Sequence, residues 1–220
     1  MTNQDVKQIS IRLLPDGFSF SGQTKHVSPG ADYEKRLEEA LLDADVMQEN
    51  ADEVICIVEG FRFILSPATC SISEAEQMYK LSLPDVDNEV LINQTDEYEN
   101  IRITFGLNAE ICHFMRRNIP GIVFNHPLME IHNAWSHKVE TDNNCMIAQA
   151  DGSILDLVVY KNGKLFMANR FASTSNDNTL YFVMNMWTQC QLDVLEDKIY
   201  LECHSDELRQ TISKYIKQCE

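Results

Sequence analysis

A chain of 220 residues with 18 Lys and Arg against 34 Asp and Glu carries a formal charge of −16. Affinity for nucleic acid is driven by neutralising phosphates, so this balance excludes a general nucleic-acid binder. Hydrophobic residues at 44% and charged residues at 24% make an ordinary globular composition that can build a packed core, in one large domain or two small ones.

The start, Met1-Thr2-Asn3-Gln4-Asp5-Val6-Lys7-Gln8, lacks the basic patch and apolar run of a secretory signal. No apolar stretch approaches the roughly 20 residues that cross a bilayer, so no membrane insertion is expected. The seven cysteines (56, 70, 112, 145, 190, 203 and 219) are odd in number and widely spaced. Many lie in apolar runs such as Val54-Ile55-Cys56-Ile57-Val58, and all are expected to be reduced core thiols of a cytoplasmic protein.

Ile9-Ser10-Ile11-Arg12-Leu13 alternates apolar and polar residues, and Pro15-Asp16-Gly17 separates it from Phe18-Ser19-Phe20. Two alternating runs about a Pro-Asp-Gly turn predict a β-hairpin. After the Pro29-Gly30 break, Tyr33, Leu37, Ala40, Leu41 and Ala44 fall on one stripe, with Glu34, Lys35, Glu38, Glu39 and Asp43 off it. That pattern predicts an amphipathic helix over 32–47. Residues 54–58, apolar throughout, suit a parallel strand covered on both faces. Ser73-Glu74-Ala75-Glu76 has the spacing of a capping box for a helix over 73–81, which Leu81-Ser82-Leu83-Pro84 ends.

Residues 89–92 and 101–105 are strand-like, and the polar residues 93–100 read as a long acidic connection. Asn108 is placed to cap a short helix with Ile111, Phe114 and Met115 inward and Arg116 and Arg117 in the last turn; Pro120-Gly121 stops it. Residues 122–124 make a buried strand, and Pro127 opens a helix with Leu128, Ile131, Ala134 and Trp135 on one face. Thr141-Asp142-Asn143-Asn144 is a polar break, so domains are expected at 1–141 and 142–220. Strands follow at 145–148, 154–160 and 165–168, turned by Asp151-Gly152 and Asn162-Gly163. A helix over 177–191 with Leu180, Val183, Met184 and Trp187 inward, a strand over 199–203 and a helix over 206–218 complete the chain. The last is capped from Ser205, with Ile212, Tyr215, Ile216 and Cys219 inward.

Both halves thus run hairpin, helix, apolar strand, helix, which implies mixed α/β sheets with helices outside them. The helices at 73–81 and 206–218 are read as counterparts.

A duplicated β-β-β-α-β-α unit resembles the actin-like ATPase fold, in which two ribonuclease H-like halves face each other across a nucleotide cleft. More closely, the sequence resembles a family of uncharacterised bacterial proteins, a domain of unknown function with that fold. The resemblance rests on the residues from Ile9 through Phe20, on Ser73-Glu74-Ala75-Glu76, on Ile103-Thr104-Phe105-Gly106-Leu107-Asn108 and on the residues from Gln149 through Leu157. It implies a further strand after the last helix, so the second half is expected to stop one strand short at Glu220.

The resemblance also implies a test for ATP and magnesium. Actin-like ATPases hold phosphates on two Asp-x-Gly loops, where glycine lets backbone N–H groups approach and the aspartate positions Mg²⁺ or water. The corresponding residues here are Asp16 and Gly17 in the first half and Asp151, Gly152 and Ser153 in the second. Phe18 stands where a small or hydroxyl residue is expected, and the second half has no Gly-Gly adenosine loop. Asp-Gly is also an ordinary hairpin turn, so both readings of these residues stand. The cations nearest the turns are Arg12, Lys25 and Lys161.

Other constellations carry less. His132 and His137 are five apart and do not share a helix face, so with His126 they are read as surface or capping residues rather than metal ligands. Asp151, Asp156 and Asp177 are the acids that a ribonuclease H-like nuclease would need around metal ions, a remote alternative that the acidity opposes. Cys112 and His113 are adjacent and point apart, which suits packing rather than nucleophilic catalysis. The acidic tracts 34–52 and 85–99 suit a solvated surface or a docking face. The leading expectation is a vestigial pseudo-ATPase acting as an adaptor or assembly protein with a protein partner. The alternative is an active Mg·ATP-binding ATPase.

Overall fold

The computed structural model describes residues 8–21, 23–28, 30, 32–44, 52–139 and 144–220. The chain divides into two compact units, Met1–Pro127 and Leu128–Glu220.

In the first unit, β1 (Gln8–Leu14), β2 (Gly17–Phe20) and β3 (Gln23–His26) form an antiparallel meander, followed by α1 (Tyr33–Asp43) and β4 (Glu53–Val58). Next come β5 (Phe63–Pro67), α2 (Ile72–Ser82), β6 (Glu89–Asp96), β7 (Ile101–Asn108), α3 (Ala109–Asn118) and β8 (Val123–Asn125). The main sheet has the order β3-β2-β1-β4-β8, with β4 parallel to both β1 and β8. β5, β7 and β6 make a separate antiparallel sheet that, with α2, is inserted between β4 and α3.

α4 (Pro127–Trp135) opens at the unit boundary, and β9 (Cys145–Asp151), β10 (Ile154–Lys161), β11 (Lys164–Ala172), α5 (Asn176–Gln189), β12 (Lys198–Cys203), α6 (Asp206–Ile212) and β13 (Gln218–Cys219) follow. The second sheet has the order β11-β10-β9-β12-β13, strand for strand the order of the first, with β12 parallel to β9 and β13. The repeat predicted from the sequence is therefore present. Its last member is α3 with β8 in one unit and α6 with β13 in the other, whereas α2 belongs to the insertion and has no counterpart. The fifth strand expected to be missing from the second half is present as a two-residue pairing.

One face of the second sheet carries Met146, Ala148, Leu155, Leu157 and Val159 against Val183, Met186 and Trp187 of α5 and Leu208 and Ile212 of α6. Burying side chains of this size contributes about 1.5–3 kcal/mol each, which is what binds helix to sheet. β10 is buried at six successive positions, because α4 packs on the sheet as well: His132 Nδ1 meets the Tyr160 hydroxyl at 2.8 Å, and Trp135 lies 4.7 Å from Tyr200. That packing puts α4 with the second sheet. Of the expected boundary at 141–144, all but Asn144 lies outside the described residues.

Local chemistry moves several boundaries. Ser71, not Ser73, caps α2: its hydroxyl accepts from the Glu74 N–H, and the Glu74 carboxylate accepts from the Ser71 N–H. Two Ser-x-x-Glu frames overlap here, and the frame from Ser71 turns Ala75 and Tyr79 inward together. β6 and β7 extend past the predicted ends because their polar residues pair across the strands, Thr104 with Asn93 at 2.8 Å and Arg102 with Thr95 at 3.2 Å. Only 97–100 connect them. α6 stops at Ile212, Tyr215 is exposed, and the chain beyond donates from Lys217 to the Val194 carbonyl in the turn before β12 and from Glu220 to the Ile199 carbonyl of β12. The part of the predicted first helix beyond Ala44 lies outside the described residues. Among those residues no helix is long and apolar enough to cross a membrane.

Candidate functional site

Register places the two candidate turns. Leu14 pairs with Gly17, so the β1–β2 loop is Pro15-Asp16; Asp151 pairs with Ile154, so the β9–β10 loop is Gly152-Ser153. The parallel partners fix the alignment, Leu13 opposite Val58 and Ala150 opposite Cys203. Asp16 is therefore the structural equivalent of Ser153, and Asp151 of Leu14. The two Asp-Gly dipeptides, read from the sequence as counterparts, are two positions out of step.

In the first turn Gly17 is buried with φ +147°, and a Cβ there would lie 2.0 Å from the Lys25 carbonyl oxygen. Glycine is needed for that close approach of β3. The Asp16 carboxylate meets His26 Nδ1 at 3.0 Å, and its carbonyl accepts from the Val27 N–H at 2.8 Å. The Tyr33 hydroxyl donates to the Pro15 carbonyl at 3.2 Å. Burial, then the Asp16 carboxylate, pushes the Tyr33 phenol above its ordinary pKa, against a hydrogen bond from the Gly17 backbone.

The second turn is open. Gly152 has φ +57°, and nothing lies within 4 Å of where its Cβ would be. Beside it is a cavity of about 200 Å³ bordered by Gly152, Ser173, Ser175, Thr179, His204 and Ser205. The Ser153 carbonyl accepts from the Ser173 N–H at 2.7 Å, and the buried hydroxyls of Ser173 and Thr179 meet at 2.7 Å. Ser175 caps α5 through the Asn178 N–H and Ser205 caps α6 through the Leu208 N–H, while the Asn176 amide donates to Ser205 Oγ at 3.2 Å. The wall is hydroxyl-rich and holds no Lys or Arg. From the sequence only Ser205 reads as a cap; the signal that these serines converge lies in the fold, which brings the β11–α5 and β12–α6 connections to one sheet end.

Two of the three neighbouring cations are engaged elsewhere. Arg12 pairs with the buried Glu59, and Lys161 donates to the Cys190 carbonyl at 2.8 Å. Asp156 receives both Arg170 Nε at 2.6 Å and Nη2 at 2.7 Å in a buried bidentate pair. It is not presented as a metal ligand beside Asp151 and Asp177. Among the described residues, no three His, Cys, Asp or Glu side chains gather as a metal site.

His126 and His132 are core residues rather than surface ones. His126 is buried with its ring 4.7 Å from Phe63 and 5.4 Å from Phe105. Burial likewise pushes the Cys112 thiol up, with Arg116 opposing. All seven cysteines are free, and Cys56, Cys112, Cys145 and Cys190 are buried.

Two mixed five-stranded sheets of identical order with helices packed on them define the actin-like ATPase fold. A protein of that fold and of unknown function from Bacteroides thetaiotaomicron is similar at TM-score 0.84 and 20% identity, over 100% of this chain and 93% of that one. The type IV pilus biogenesis complex PilM–PilN is similar at TM-score 0.53 and 13% identity, over 97% and 85%. No curated protein matches. Residues 1–219 match the family described as "Protein of unknown function (DUF3822)", and the chain belongs to that family.

Proposed function

We propose that this chain is a non-hydrolysing member of the actin-like ATPase fold, working as an adaptor or assembly protein through a protein partner. One observation carries the reading: both hairpins that would cradle phosphates close on two-residue loops, and in the first of them one residue is Pro15. A phosphate cradle needs several unpaired backbone N–H groups pointing one way. A two-residue hairpin leaves only those of its loop, and proline has none. Similarity to PilM–PilN, a complex of two proteins, is in keeping with a partner, and the surplus of acid disfavours nucleic acid as that partner. Action in the cytoplasm is part of the same proposal.

The second reading, an ATPase that holds Mg·ATP with Asp16, Gly17, Asp151, Gly152 and Ser153, is favoured by the open hydroxyl-lined cavity beside Gly152. Thermal melting with and without millimolar Mg·ATP, together with a phosphate-release assay, separates the two. The adaptor reading expects an unchanged midpoint and no release. A ligand-dependent rise in midpoint, accompanied by release that Asp151→Ala abolishes, overturns it.

A further inference from the structure

The β6–β7 hairpin turns through Asp96-Glu97-Tyr98-Glu99-Asn100. Asp96 Oδ1 accepts from the Tyr98 N–H at 2.9 Å and from the Glu99 N–H at 3.0 Å, and Asn100 turns the chain with φ +57°. The backbone of the tip is thereby held while the Tyr98 side chain stands 93% exposed.

The other six tyrosines are placed differently. Tyr33 donates to the Pro15 carbonyl and Tyr79 to Glu89, Tyr160 meets His132, and Tyr200 packs on Trp135. Tyr181, 63% exposed, lies within α5 between Leu180 and Phe182, with no carboxylate directly beside it. Tyr215, 54% exposed, sits between Lys214 and Lys217. Only Tyr98 combines an accessible hydroxyl, a position outside any helix and carboxylates on both sides.

From this combination we infer that Tyr98 is the phosphoacceptor for a protein-tyrosine kinase. Sites that transfer a phosphoryl group from ATP gather Lys, Arg and Mg²⁺ around the phosphates, so acidic flanks are drawn toward them. In the step, the Tyr98 phenol oxygen forms a bond to the γ-phosphorus of ATP. The bond from that phosphorus to ADP breaks, and the phenol proton passes to the kinase's general base. The product adds a charge of about −1.5 to −2 between Glu97 and Glu99. Arg102, the nearest cation in sequence, is buried and already holds Thr95, Ala68 and Cys70, so it is committed to the hairpin rather than to the phosphate. The modification therefore serves to be read by an arginine cluster on another molecule. None of this rests on either Asp-Gly turn.

The test uses the full chain, Mg·ATP and a purified broad-specificity protein-tyrosine kinase, with sites located by mass spectrometry of proteolytic peptides. Tyr98 is expected to be phosphorylated about tenfold faster than Tyr181 or Tyr215, and Glu97→Gln with Glu99→Gln to erase most of that advantage. Tyr98→Phe should leave only the slow sites. The same peptide from protein isolated out of its own cells under phosphatase inhibition should carry one phosphoryl group. Equal or slower transfer to Tyr98 overturns the inference, and so does a recovered but unmodified Tyr98 peptide from cells.

Discussion

At the β1–β2 turn a glycine is locked beneath the carbonyl of a neighbouring strand; at the β9–β10 turn, two positions out of step, a glycine stands in open space beside a polar cavity. The strands that carry these turns have the same order, the same directions and the same register to their parallel partners. What the contrast teaches is that topology is held by the apolar pattern of strands and helices, which tolerates wide changes in sequence, while turn chemistry is set residue by residue. A duplicated fold can keep the first and lose equivalence in the second.

The comparison breaks most sharply one strand outward, toward the sheet edge. Asp156 opposite Arg170 occupies the positions that Ser19 opposite Thr24 occupies in the first sheet. Asp156→Asn leaves a buried guanidinium without its counter-charge and is expected to destabilise by about 3–5 kcal/mol in urea denaturation, against about 0.5 kcal/mol or less for Ser19→Ala. Equal losses would show that the charge pair does not set the second sheet apart.

The glycines come next. Gly17→Ala drives a methyl group into the Lys25 carbonyl at a disfavoured φ and should cost about 3 kcal/mol or more, whereas Gly152→Ala meets open space and should cost about 1 kcal/mol. Thermal melts of the two variants side by side would reveal whether the locked and open turns differ as described.

A pH effect sharpens the contrast at the strand starts, where Cys145 of β9 matches Gln8 of β1. Burial first, then Asp197, pushes the Cys145 thiol up to about 11 from 9.0, with Lys198 opposing. A raised value means that the neutral thiol belongs to the folded state. Its contribution is complete below pH 9 and is lost as pH rises through 11. The urea midpoint should fall over that window, and fall less in Cys145→Ala; parallel curves would remove Cys145 from the account. The smallest effect is expected for Asp16→Ala, since its contact with His26 joins two exposed side chains and contributes about 0.5 kcal/mol or less.

Much of this architecture is legible in the sequence because burial writes a period. Alternation gave β1 and β2, an unbroken apolar run gave β4, the Asp151-Gly152 and Asn162-Gly163 turns bounded β10, and Asn108 and Ser205 announced their helices. β3 was missed because Gln23-Thr24-Lys25-His26 is polar and exposed at every position, so no period marks it. β13 owes its pairing to two residues that meet β12 only after a turn. The insertion was invisible as such: α2 looks like any amphipathic helix, and only strand order shows that it lies outside the repeat. Of the candidate site, the sequence offered the dipeptides but not their misalignment, which depends on cross-strand register. Nor could it bring Ser173, Ser175 and Ser205 to Gly152, since that meeting is made by three separate chain reversals.

Asn108 is at once the final residue of β7 and the cap of α3, its side chain accepting from the N–H groups of Glu110 and Ile111. No linker intervenes between the inserted hairpin and the helix of the main sheet, and the Ala109 N–H is tied back to the Asn88 carbonyl at 2.7 Å. Mechanically, the hairpin is a lever arm welded to its axle: a pull or twist at its far end is carried down β7 and into α3 without a joint to absorb it.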